Sequence, residues 1–171
     1  MSAPLPQPKI PNYDDGIDFE ALAIQDADFA RVYRAANGHV DFQDPKALQQ
    51  LTKSVLKRDF GLTISLPYDR LCPPVPVRYN YIRWIQDLLD TTSNSYTDKY
   101  DPTRKVIGLD VGTGASAIYA LLACASRPAW LMYGTDIDSR SLFSAQKRRF
   151  QQASRADPAP AQHVRRSTAS T

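Results

Sequence analysis

The sequence predicts an α/β chain: a small, mainly helical module followed by a strand–turn–helix–strand–helix unit. Three observations carry that expectation. An apolar, β-prone run, Val106 to Leu109, ends in Asp110 and a glycine turn, Gly112-Thr113-Gly114. An alanine- and leucine-rich stretch, Ala115 to Ala125, follows with strong helix propensity. A second apolar strand, Trp130 to Gly134, then runs into Thr135-Asp136-Ile137-Asp138. A strand, a glycine turn, a helix and a second strand ending in a carboxylate make a site for the nucleoside end of a cofactor.

From the N-terminus, residues 1–16 are expected to be disordered or extended, because residues 1–11 are rich in proline and lack the apolar run of a signal peptide. Asp18 to Arg34 has a partly periodic pattern and predicts one or two short helices. Asn37-Gly38 marks a turn before a short extended piece, His39 to Phe42. Asp44-Pro45 places an N-cap acceptor ahead of a proline at the first helical position, and Leu48, Leu51, Val55 and Leu56 form the stripe of that helix. Gly61 stands where a left-handed C-cap is needed, and Leu62 to Leu66 alternates as an extended segment would.

Pro73, Pro74 and Pro76 force an irregular path. A helix is expected from about Val77 to Asp90, burying Ile82, Ile85, Leu88 and Leu89 and turning Arg83, Gln86 and Asp87 outward. Thr91 to Lys105 reads as a loop, so the helical module with its linker spans 17–104 and the second unit 105–153. The last helix is expected from Ser139 to about Ala153, and residues 154–171 lack apolar periodicity and predict no stable structure. A sheet of two strands leaves the first with an open edge and an apolar face, so the chain from Lys105 onward is expected to fold marginally.

Composition excludes several classes. The net charge of +3 is mild, and the last 21 residues supply two of those charges. Cys72 and Cys124 have no metal-ligand spacing, and Cys124 reads as a buried thiol in an apolar helix. No run approaches the ~20 apolar residues of a membrane span. The expectation is a soluble intracellular protein, nuclear or cytoplasmic, with neither a membrane nor a metal as partner. No nucleophile–base pair stands out, because His39 falls in a turn and His163 in the tail. Tyr79, Tyr81 and Trp84 read as packing residues, with base stacking as the alternative.

Asp110 ends the first strand, and Gly112 and Gly114 let a ligand approach backbone with no Cβ in the way. Asp136, 22 residues after Gly114, is placed to accept hydrogen bonds from two ribose hydroxyls or, alternatively, to cap the helix at Ser139. For Asp138 capping is the preferred role. The run Ile107 to Gly114 also looks like the first phosphate motif of actin-like ATPases and sugar kinases, where the turn joins two strands of a hairpin. A non-catalytic RNA-binding fragment, using the helices and the basic tail, is a further alternative.

The run Asp110 to Ser116, preceded by Pro74-Val75-Pro76-Val77-Arg78-Tyr79-Asn80-Tyr81-Ile82-Arg83-Trp84, resembles the methyltransferase-like protein 16 family. So do Phe42 to Leu48 and Lys57 to Leu62, and the similarity runs in order from about Asp18 to Gln146. The resemblance implies a partial Rossmann-like class I methyltransferase, with S-adenosyl-L-methionine as cofactor and the N6 of an adenine in structured RNA as acceptor. That RNA is of the U6 small nuclear or the ribosomal type. Carried over by position, it implies that Gly112 and Ser116 line the cofactor pocket, Asp136 holds the ribose and Arg78 holds the methionine carboxylate. The family's catalytic Asn-Pro-Pro-Phe does not occur among the 171 residues, so no catalytic residue is assigned. The chain is expected to be an N-terminal portion, inactive by itself.

Overall fold

The computed structural model describes residues 11–92 and 100–147. The expectations for residues 1–10, for the end of the last helix and for the tail lie outside them. The elements are α1 (Phe19–Gln25), α2 (Ala27–Ala35), α3 (Pro45–Phe60), α4 (Val75–Thr91), β1 (Val106–Val111), α5 (Ile118–Ser126), β2 (Trp130–Thr135) and α6 (Ser139–Lys147). No helix among the described residues is long and apolar enough to cross a membrane.

Local chemistry sets the helix ends. Asp18 caps α1 by accepting the Ala21 amide at 2.9 Å, and Asp26 caps α2 by accepting those of Asp28 and Phe29. Burial opposes ionisation of Asp26, but these two amides and the nearby Lys57 ammonium outweigh it and lower its pKa. Asp44 accepts from the Lys46 amide with Pro45 at the first position, and Gly61 closes α3 at φ 64°. There the Gly61 and Leu62 amides reach back to the carbonyls of Lys57 and Leu56. The segment 62–66 joins no sheet, yet Leu62, Ile64 and Leu66 are buried while Thr63 and Ser65 are exposed, so it packs as an extended strip.

In α4 the structure corrects the sequence reading. The helix starts at Val75, and its buried stripe is Val75, Tyr79, Ile82 and Gln86, whereas Leu88 is exposed. Gln86 turns inward because Ser126 of α5 offers it a partner: its Nε2 donates to Ser126 Oγ at 2.7 Å. A buried amide so paired replaces an apolar contact without an unsatisfied group. Four residues on, Asp90 pairs with Arg127 at 2.6 Å, both nearly buried.

β1 and β2 pair in parallel, with Val106 opposite Trp130 and Val111 opposite Thr135. Parallel strands need a crossover, and α5 supplies it. On one face Ile118, Leu122, Ala123 and Trp130 join the cluster built by Phe29, Leu56 and Tyr79, so a single core runs through the helical module and the strand unit. The other face is open: Ile107 is 74% exposed, Leu109 63% and Val111 78%. β1 is therefore half open, and it shows the bare apolar face expected of a two-stranded sheet. Cys124 is half-buried instead of buried, its thiol donating to the Trp130 carbonyl.

Gly108 faces Met132 across the ladder, and a Cβ there would lie 2.4 Å from the Met132 sulfur. Gly108→Ala is expected to destabilise the chain by no more than about 1 kcal/mol, because the flexible end of Met132 can swing aside. Urea unfolding measures it, as a lower midpoint at unchanged slope.

Candidate functional site

The glycine turn is held at the mouth of the two strands. Gly112 and Gly114 have φ of 77° and 65°, a region that favours glycine. The amides of Gly112 and Thr113 both donate to the Thr135 carbonyl, at 2.8 and 2.9 Å, so the turn folds back over the end of β2. The Asp136 carboxylate completes the hold: Oδ2 accepts the Gly114 amide at 2.8 Å and Oδ1 the Asp138 amide at 2.9 Å. A Cβ on Gly112 or Gly114 would meet nothing within 4 Å, so the outer side of the turn is open to a ligand.

Thr113 is the residue that sequence reasoning passed over. It is buried, its hydroxyl donates to Asp110 Oδ2 at 2.7 Å, and its side chain lies 3.0 Å from where a Cβ on Gly134 would be. Gly134 is thus small because Thr113 occupies its space. The signal was a polar, β-branched residue between two glycines. Burial raises the Asp110 pKa most; the Thr113 hydroxyl opposes the shift and the Asp136 charge adds to it.

The turn runs into α5, and the strands beside it are parallel. A hairpin is absent at this point, which overturns the actin-like and sugar-kinase alternative. The helix begins at Ile118, three residues later than the earliest alanine allows, because Ala117 takes φ 47° as the chain leaves the turn. Ser116, just before it, is buried. Asp138 is a capping residue as expected: it accepts from the Arg140 amide and the Ser141 hydroxyl. Its pKa is lowered by the Arg140 amide above all, against slight desolvation and with help from Ser141 and Arg70.

Arg78, in the first turn of α4, packs against the start of α5. Its guanidinium lies 5.6 Å from the centre of the Tyr119 ring, a cation–π distance. Near the far ends of the same helices stands the Asp90–Arg127 pair, so α4 and α5 run side by side in the same direction. Both positive helix ends therefore lie at one end of the molecule, with the glycine turn leading into one of them. Among the described residues Arg78 has no carboxylate partner, and its charge is available to an anion. Of the aromatics on α4, Tyr79 is core, whereas Tyr81 and Trp84 are exposed and stack on each other at 5.8 Å.

The arrangement is a carboxylate-braced, glycine-opened turn with an arginine at the neighbouring helix start. Comparison with known proteins matches the chain to RNA methyltransferases. A family model described as RNA methyltransferase matches residues 9–168. The U6 small nuclear RNA (adenine-(43)-N(6))-methyltransferase of Schizosaccharomyces pombe is 45% identical over 109 residues, 64% of this chain and 27% of that protein. The RNA N(6)-adenosine-methyltransferase METTL16 of Homo sapiens is 41% identical over 133 residues, 76% of this chain and 22% of that protein. Among solved structures, the N-terminal domain of human METTL16 in complex with SAH matches with a TM-score of 0.70 and 36% identity. The match covers 82% of this chain and 53% of that one. The hMettl16 catalytic domain in complex with a MAT2A 3'UTR hairpin matches with a TM-score of 0.63 and 37% identity, over 81% and 44% of the two chains. The chain thus spans about a quarter of those curated relatives and about half of those solved chains.

A raised carboxyl pKa means that Asp110 holds its proton longer in the native than in the unfolded state. Its contribution is present below the ordinary carboxylate range and is lost as pH rises through its folded pKa. Asp110→Asn is expected to remove that loss. Stability measured by urea unfolding between about pH 3.5 and 7 should fall less with rising pH in the variant than in the parent.

Proposed function

The chain belongs to the RNA methyltransferase family, and from that premise we propose that it binds S-adenosyl-L-methionine at the glycine turn for methylation of adenine N6 in structured RNA. One observation carries the reading: the open, positive-φ turn at Gly112 and Gly114 lies against the Asp136 carboxylate, with Arg78 beside the following helix. Each group suits one part of that cofactor. The two glycines let a flat adenosyl group lie close to the backbone. Asp136 spends one lone pair of each oxygen on the Gly114 and Asp138 amides, and the remaining pairs suit two vicinal hydroxyls. Arg78 presents a planar fork to a carboxylate. Asp110, which accepts the Thr113 hydroxyl, and the buried Ser116 flank the turn in sequence and are assigned to the same site.

When bound, the cofactor supplies an electrophilic methyl group on a sulfonium. The chain's own part is to hold and orient. Asp136 would hold the sugar, Arg78 the amino-acid end, and the glycine turn would lie against the adenosyl group. No residue of this chain is assigned to the acceptor amine, since Asn-Pro-Pro-Phe does not occur in it. The relatives named for U6 RNA support a U6-type acceptor over the ribosomal type. The exposed Tyr81 and Trp84 suit stacking on an unpaired base. For a protein acting on such RNA, a nuclear location is the natural one.

Calorimetric titration with S-adenosylhomocysteine tests the proposal. The chain is expected to bind it, and Asp136→Ala and Arg78→Ala are each expected to weaken binding about tenfold or more, as for a lost charge-assisted hydrogen bond. Absence of binding by a folded chain, or affinity unchanged from the parent in both variants, refutes it.

A further inference from the structure

We infer that Arg70 is a positioning residue for this pocket, acting through Asp138 on Asp136; the inference rests on the cofactor reading above. Arg70 lies in the loop ahead of α4, outside every motif that pointed to the site. Its Nη1 donates to Asp138 Oδ2 at 2.5 Å, with side chains 27% and 33% exposed. The Asp138 amide donates to Asp136 Oδ1 at 2.9 Å, and Asp136 Oδ2 accepts from the Gly114 amide at 2.8 Å. An unbroken line of polar contacts thus runs from the loop before α4, through the corner after β2, to the glycine turn.

Apart from the α6 cap, in which Asp138 accepts the Arg140 amide and the Ser141 hydroxyl, the corner has few side-chain anchors. Ile137, between the two carboxylates, is fully exposed and gives it no apolar anchor. The first buried apolar side chain downstream is Leu142, on α6. Asp69 lies 3.9 Å from both Arg70 and Arg140, contacts too long and too exposed to contribute much. Charge-assisted bonds of the Arg70–Asp138 kind are strong when sheltered. Arg70 precedes Arg78 by only eight residues in one continuous segment. Tying Arg70 to the Asp136 corner therefore fixes the span between the group proposed for the amino-acid end and the group proposed for the ribose.

A double-mutant cycle on the full chain tests this, with Arg70→Ala and Asp138→Asn; the asparagine keeps an acceptor for the α6 cap. Two readouts are needed: S-adenosylhomocysteine affinity by calorimetry, and amide hydrogen exchange at Gly114 without ligand. Each single variant should bind about tenfold more weakly, the double variant no more weakly than Arg70→Ala, and Gly114 should exchange about tenfold faster. Losses that multiply in the double variant would show Arg70 acting on the ligand directly and overturn the inference. So would unchanged Gly114 exchange in Arg70→Ala, whether or not the parent chain binds the probe. If Gly114 is released by Arg70→Ala while the parent binds no S-adenosylhomocysteine, the tie stands and the cofactor reading falls.

Discussion

The site depends on the glycine turn being tied to the end of β2. Two amides of the turn share the Thr135 carbonyl, and a third is taken by Asp136. These partners lie more than twenty residues downstream, so the turn acquires its shape only when β1 and β2 are paired in their register. That pairing is parallel, which no tight turn can make. The crossover helix is therefore part of the site's architecture as well as its wall. Thr113 adds a second lock, filling the space that the absent side chain of Gly134 leaves and holding Asp110 from above.

The helical module contributes position. α4 lies along α5 in the same sense, fixed at one end by Arg78 over Tyr119 and near the other by Asp90 with Arg127. Between them Gln86 reaches Ser126 inside the packing. A nearly buried ion pair adds less to net stability than to uniqueness, because desolvation offsets much of its attraction. A register slip between the helices would leave Asp90, Arg127 and Gln86 without partners. Polar contacts at this interface thus decide where Arg78 stands relative to the turn, while Ile82, Ile118 and Leu122 supply the burial.

The open face of β1 has the opposite character. Ile107, Leu109 and Val111 alternate with residues that face the core, and nothing among the described residues covers them. Exposed apolar side chains on a strand with an unpaired edge favour association. The solved relatives are about twice as long as the part of them that this chain matches. Burial on one face of the sheet only, together with a core shared with α2, α3 and α4, is how the strand unit is held here.

Much of this was legible in local sequence. Asp44-Pro45 and Gly61 fix the ends of α3 by capping and handedness alone, and two glycines around Thr113 fix a turn. Asp136 was legible as the carboxylate that follows the second strand because strand and crossover lengths vary little in such units, but its bond from the Gly114 amide was not. What sequence could not decide was partnership. Gln86 reads as a surface residue until Ser126, forty positions away, is brought against it, and Arg70 reads as loop until Asp138 meets it. Polar side chains take their meaning from what tertiary packing sets within hydrogen-bond reach, whereas caps, turns and apolar periodicity are settled within a few residues of themselves.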